Sequence, residues 1–302
     1  MLVNGITESG VSGPLTPKRA FFYWGNETMS FMRYMTLASF RHFNPDWEIV
    51  LITHDGGRPR WQSTEEIDKY TYDGPDYSSL LKGLKVTLEP HDAMWTHGLD
   101  QHMTDVHCKD LSMWYLLATR GGVIADMDIL FINPMDELNL DCDVGLVCFE
   151  GYPRPGYIPV TFMAGTPNRF FNECHRNALM NYDPEIYECC GNNSIEFDNI
   201  EILAAHYPEL IVKRLKDRVV FPFVEDPYEI ACVKAVAQDH CAALHSNSVG
   251  IHWYAGNPVV NRIVQTVTHK NVNKQEGTIF KIASGMLSSG VISIAEKELS
   301  NA

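Results

Sequence analysis

Apolar and polar positions alternate between two rhythms along the first half of the chain. "RAFFYWGN", from Arg19, is a short continuous apolar run of the kind a buried strand makes. A helical rhythm follows in "MSFMRYMTLASFRHF", with Thr28 as the expected N-cap and Asn44-Pro45 as the stop, because proline cannot continue a helix. "EIVLIT" then predicts a second strand. Residues 55–83 are polar and rich in turn formers, predicting a loop-rich excursion with a short helix near "STEEIDKY". "KVTLEP" predicts a third strand, and Thr104 or Asp105 caps a helix "VHCKDLSMWYLLATR" that ends at Gly121-Gly122. "VIAD" leaves that glycine pair as a fourth strand. Strands alternating with helices imply an α/β protein with a mainly parallel sheet.

The second half is less regular. "VGLVCF", "RVVFPF" and "SVGIHWYAG" predict strands, and "NRFFNECHRNALM", introduced by Thr166-Pro167, predicts a helix. No repeat or shift in composition divides the chain, so the expectation is a loose lead-in over residues 1–18 and one domain over residues 19–302.

Composition narrows the class. The 302 residues are 45% hydrophobic, enough for a sizeable core, and 24 basic against 38 acidic residues give a net charge of −14. That balance resists extended contact with nucleic-acid phosphates or an anionic membrane, so there is no strong nucleic-acid signal. The eight cysteines show no C-x-x-C pair, which fits a reducing compartment. The first residues lack a signal-peptide pattern and no apolar run reaches the length of a transmembrane segment, so a cytoplasmic location is expected. On that basis the sequons at Asn26 and Asn192 read as chance.

The candidate chemistry lies in "RGGVIADMDILF". Asp126 and Asp128 are separated by one residue at the end of the fourth strand, and the carboxyl ends of parallel strands are where open α/β sheets bind ligands. Counting back from Gly121 to Asp110 along a helix gives about 16 Å, and counting forward to Asp126 along a strand also gives about 16 Å. Asp110 therefore falls level with Asp126. It shares a helical stripe with Val106, Met113 and Leu117, so it faces inward and needs a partner. Three convergent carboxylates suit Mg²⁺ or Mn²⁺ carrying phosphate oxygens, although a bare Asp-x-Asp also arises by chance at a solvated strand end. Taken alone, His252 and Trp24 read as structural residues.

The segment "DLSMWYLLATRGGVIADMDILF" resembles the Asp, Gly-Gly, strand, Asp-x-Asp run of glycosyltransferases with the GT-A fold, above all family 32, which includes bacterial capsule enzymes and yeast mannosyl- and galactosyltransferases. "FFYWGN" with "SFRHFNPDWEIVLIT" is similar to the first strand, helix and second strand of that family, and "GIHWYAGN" to its His-Trp segment. The resemblance implies a GT-A, Rossmann-like α/β fold, with a mainly parallel sheet flanked by helices and a less regular C-terminal half. It also implies a hexosyltransferase acting with retention on a UDP- or GDP-sugar, and a glycan, lipid-linked or other hydroxyl acceptor. Carried over by position, Asp126 contacts the donor ribose and the metal, Asp128 binds Mn²⁺ or Mg²⁺, and His252 completes the metal site. Trp24 borders the base, and Asp110 bonds donor-sugar hydroxyls; Asp128 and Asp110 are the expected catalytic pair. The chain departs from the family at Lys109 and Met113, where Ser and Arg are usual, so a cationic contact to the donor sugar or phosphate is missing or supplied from elsewhere. Two alternatives stand beside this reading: a haloacid-dehalogenase-type phosphatase, and a nucleotide-sugar-binding protein without turnover.

Overall fold

The computed structural model describes residues 15–25, 28–54, 72, 74–99, 103–149, 156–186, 189–196, 200–224 and 226–299. The expected helix near "STEEIDKY" lies outside them, as does most of the expected lead-in.

The chain opens with β1 (Arg19–Tyr23), α1 (Phe31–Phe43), β2 (Glu48–Thr53), β3 (Val86–Pro90), α2 (Asp105–Thr119) and β4 (Gly122–Ala125). A short strand β5 (Ile129–Phe131) precedes β6 (Val144–Cys148), β7 (Phe162–Gly165), α3 (Arg169–Met180), α4 (Ile200–His206) and β8 (Val212–Lys216). The chain then runs through α5 (Tyr228–Val236), β9 (Gly250–His252), α6 (Pro258–Gln265), α7 (Thr278–Ser288) and α8 (Glu296–Leu299). Seven strands form one sheet in the order β3-β2-β1-β4-β7-β6-β8. All its pairings are parallel except the two made by β7, so the protein is α/β with a mainly parallel sheet between helices.

Side chains of β1 alternate between two cores. Ala20 and Phe22 pack with Met32, Leu37 and Phe40 of α1, while Phe21 and Tyr23 pack with Leu111 and Trp114 of α2. A strand covered on both faces has no polar side to show, which is why "AFFY" is an unbroken apolar run. β2 and β3 lie on one side of β1 and β4 on the other, so the strand order reverses between β1 and β4. The carboxyl ends at such a reversal leave a crevice that ligands use.

Local chemistry sets the boundaries. Ser30, not Thr28, is the N-cap of α1, and Asn44 closes it by donating from its side chain to Phe40 O at 3.0 Å. Thr104 caps α2 by accepting from His107 N, and Asn168 caps α3 by accepting from Phe171 N. Gly121 and Gly122 have φ of 63° and 125°, and a Cβ on Gly122 would stand 2.6 Å from Arg19 O. Only a glycine pair turns α2 into β4 at this distance from β1.

The second half corrects one expectation. "RVVFPF" is not a strand: Asp217–Val219 make a 3₁₀ turn, and the run packs beside β9, where Val219 O and Val220 O accept from Val249 N and His252 N. Pro222 has no N–H to offer a ladder. The strand β8 is instead "VKRLK", an edge strand whose charges mask its apolar alternation.

Candidate active site

The Asp-Met-Asp segment begins where β4 ends. Met127 is buried in the core at 3% exposure, in a tight turn between β4 and β5 that has Asp126 and Asp128 on either side of it. The segment is not part of the main sheet, and two fully buried hydroxyls of α1 satisfy its backbone. Thr36 Oγ1 donates to Met127 O at 2.8 Å, and Ser39 Oγ accepts from Phe131 N at 3.0 Å.

β5 then pairs antiparallel with β9, and Ile129 lies opposite His252. This small sheet brings the C-terminal histidine to the aspartates. One ligand atom from each of Asp126, Asp128 and His252 lies within 4.8 Å of the other two. Asp128 Oδ2 is 3.2 Å from His252 Nε2 and accepts from Ala255 N at 2.9 Å, while Trp253 N donates to Asp128 O at 2.9 Å. Tyr254 sits between those two amides with φ of 57°, a left-handed turn that a bulky residue rarely adopts and that doubles the chain back toward Asp128. Phe221 and Tyr254 hold the His252 ring at centroid distances of 5.1 and 4.7 Å. His252 Nδ1 and Trp253 Nε1 are buried with no hydrogen-bond partner among the described residues.

The charges around these acids are mixed. Burial pushes the Asp128 carboxyl up, but His252, the hydrogen bonds from His252 and Ala255, and the nearby Arg33 guanidinium outweigh it and hold Asp128 below the usual carboxylate range. Arg33 is 7% exposed and lies between two indoles, 4.9 Å from the ring of Trp24 and 4.9 Å from that of Trp253. Trp24 therefore directly follows β1 as expected, but is 3% exposed with Arg33 over its ring.

Asp110 and Asp126 come level, as the distance count implied. Lys109 Nζ bridges them, 2.5 Å from Asp126 Oδ1 and 3.2 Å from Asp110 Oδ1. Asp110 is 5% exposed, and Gly191 packs so closely that a Cβ there would stand 2.9 Å from Asp110 Oδ2. Burial raises the Asp110 pKa above its ordinary value, against the opposing pull of Lys109.

Sequence reasoning missed Arg33 and Lys109 as site residues. Both stand beside the acids, which supplies the positive charge that Met113 does not. A signal for Arg33 was present: it shares a helical stripe with Thr36, Leu37 and Phe40 on a face otherwise facing the core.

No family model matches the chain, and no curated protein matches it in sequence, so the likeness to family 32 stays a resemblance. Solved structures similar to it include the PaToxG glycosyltransferase, at 14% identity over 65% of this chain and 70% of that one, with a TM-score of 0.44. The apo-form glycosyltransferase GlyE of Streptococcus pneumoniae TIGR4 is 12% identical over 91% of this chain and 64% of its own, with a TM-score of 0.43. The galactosyltransferase LgtC in complex with donor and acceptor sugar analogs is 14% identical over 85% of this chain and 99% of its own, with a TM-score of 0.38. All three likenesses are distant in sequence and partial in shape.

Proposed function

We propose that the chain is a metal-dependent glycosyltransferase with a GT-A-like fold that moves a hexose from a UDP- or GDP-sugar to a hydroxyl acceptor, with retention of configuration. The observation that carries this reading is the convergence of Asp126, Asp128 and His252 at the carboxyl end of β4, beside the reversal of strand order. Two carboxylates and an imidazole are a donor set suited to Mn²⁺, and to Mg²⁺ with more water retained. The buried Nδ1 of His252 fits the same role, since the ring keeps a nitrogen that no group among the described residues hydrogen-bonds. Asp126, Asp128 and His252 would hold the ion, and bound there it would neutralise the charge that develops on a departing nucleoside diphosphate.

The chain's own residues do the rest. Lys109 and Arg33 add fixed positive charge in a largely buried site, where it would act more strongly on a diphosphate than it would in water. Asp110, held by Lys109, accepts hydrogen bonds from donor-sugar hydroxyls. Trp24, at the carboxyl end of β1 and covered by Arg33, would stand beside the nucleoside base as part of the wall behind it. The acceptor is a glycan, a lipid-linked glycan or another hydroxyl compound. No helix among the described residues is long and apolar enough to cross a membrane, and we read the protein as cytoplasmic. The phosphatase alternative expects its Asp-x-Asp after the first strand, whereas here the motif follows the fourth and leads into a two-stranded sheet.

The test is thermal denaturation with UDP- and GDP-sugars, with and without Mn²⁺, followed by assays of donor hydrolysis and transfer. One nucleotide sugar should raise the Tm only when Mn²⁺ is present, and it should be turned over. Stabilisation without turnover would leave a binding protein, and hydrolysis of simple phosphoesters would favour a phosphatase.

A further inference from the structure

We infer that His54, His91 and Cys108 form a second metal site, chemically distinct from the acidic one and suited to Zn²⁺. His54 follows the last residue of β2 and His91 the last residue of β3, and these strands are parallel neighbours with Thr53 opposite Pro90. The two imidazoles therefore leave the sheet level with each other, and His91 N donates to Thr53 O at 2.7 Å to fix that register. Cys108 approaches from the first turns of α2 and is fully buried. One ligand atom from each of the three lies within 4.8 Å of the other two, and His91 Nε2 is 3.3 Å from Cys108 Sγ.

A tetrahedral zinc ion with Zn–N near 2.0 Å and Zn–S near 2.3 Å separates its nitrogen and sulfur ligands by about 3.6 Å, so the pair is already close to the edge such an ion requires. The imidazole rings are stacked, 4.7 Å apart and 18° from parallel, so metal binding would turn them from this arrangement until a nitrogen of each points at one centre. A thiolate and two imidazoles select a softer ion than two carboxylates do, so the two sites discriminate between Zn²⁺ and Mn²⁺ by donor chemistry. Three protein ligands leave the fourth position to water. A metal here ties the ends of β2 and β3 to the start of α2, the helix that carries Lys109 and Asp110. The inference stands whether or not the acidic site transfers a sugar.

Cobalt(II) reports on it directly, because thiolate ligation gives a charge-transfer band in the near ultraviolet that oxygen and imidazole ligands do not. The full chain, stripped with a chelator, should bind one equivalent of Co²⁺ with that band, and one equivalent of Zn²⁺ should erase it. The band should vanish in Cys108→Ser and persist in Asp128→Asn, which alters only the acidic site. His91→Gln keeps the thiol and should weaken Co²⁺ binding at least about tenfold, which covers the case in which Cys108→Ser fails to fold. No band in the wild-type chain would overturn the inference, as would a band that survives both Cys108→Ser and His91→Gln.

Discussion

Lys109→Met removes the ammonium that lies 2.5 Å from Asp126 Oδ1 and 3.2 Å from Asp110 Oδ1. At an effective dielectric constant near 20 each contact is worth roughly 5–7 kcal/mol before desolvation, and most of that gain is cancelled by taking the charges out of water. What remains on deleting one partner is the cost of leaving the buried Asp110 and the partly buried Asp126 uncompensated, about 3–5 kcal/mol for a fully buried pair. The lower end applies here, because Asp110, whose pKa burial already raises, can take up a proton instead of keeping its charge. About 3 kcal/mol is therefore expected. For 302 residues the unfolding entropy is about 0.6 kcal/mol per kelvin, so the Tm should fall by about 5 °C in metal-free buffer. Lys109 also competes with a cation for Asp126. The variant should therefore gain at least about 2 °C more than wild type from saturating Mn²⁺, equivalent to binding roughly tenfold tighter. On the proposed reading, donor turnover should still drop, since a bound diphosphate would lose a fixed positive charge. Differential scanning fluorimetry with and without Mn²⁺ measures both shifts. A Tm within 1 °C of wild type, or a manganese shift no larger than wild type's, would refute the reasoning.

Asp128→Asn should keep the fold, because the amide oxygen still accepts from Ala255 N, but should abolish manganese-dependent stabilisation by a nucleotide sugar and lower turnover by about 10²–10³-fold, as an initial-rate assay would read. Because the folded Asp128 titrates below its unfolded value, its stabilising contribution is present at neutral pH and is lost as pH falls through the depressed folded pKa. Urea melts between pH 7 and pH 2.5 should therefore show wild type losing its advantage over Asp128→Asn only at the acid end. Gly122→Ala forces a Cβ to within 2.6 Å of Arg19 O at a φ of 125°, and should cost about 3 kcal/mol or more in urea denaturation; a cost under 1 kcal/mol would mean that β1 and β4 separate more easily than their pairing implies.

The parts of the fold legible in the sequence are those whose signals are local. β1, β2 and β3 are short apolar or alternating runs bounded by proline, glycine or polar turns, and α1 and α2 are ended by Asn44-Pro45 and Gly121-Gly122. The level placement of Asp110 and Asp126 also followed, because a helix and a strand joined by two glycines leave little freedom. The small sheet was legible only in part: "SVGIHWYAG" predicts the strand that becomes β9, but β5 has three residues, too few for a period to register, and its pairing of Ile129 with His252 joins opposite halves of the chain. From the residues alone His252 was a structural histidine, and only the resemblance drew it to the aspartates. "RVVFPF" misled for a related reason: an apolar run records burial, and burial in a loop under β9 looks the same as burial in a sheet.

On the proposed reading, the two cations beside the acids take the part of a cation at Met113. A guanidinium on α2 three residues past Asp110 would have to share the core face with Leu117 and Cys148, where Met113 itself is 2% exposed. Arg33 reaches the site from the opposite layer, and its desolvation is offset by two indole faces and by the Asp128 carboxylate. Lys109 approaches from α2 itself, one residue ahead of Asp110, with a flexible stem that lets one ammonium serve two carboxylates. Lys109 offers a point charge, and the flat fork of Arg33 is taken up between the rings of Trp24 and Trp253. On the proposed reading, Lys109 would meet the donor phosphates as a point charge, and Lys109→Arg would be no conservative change, because a planar fork pairs with Asp110 and Asp126 in a different geometry from one ammonium.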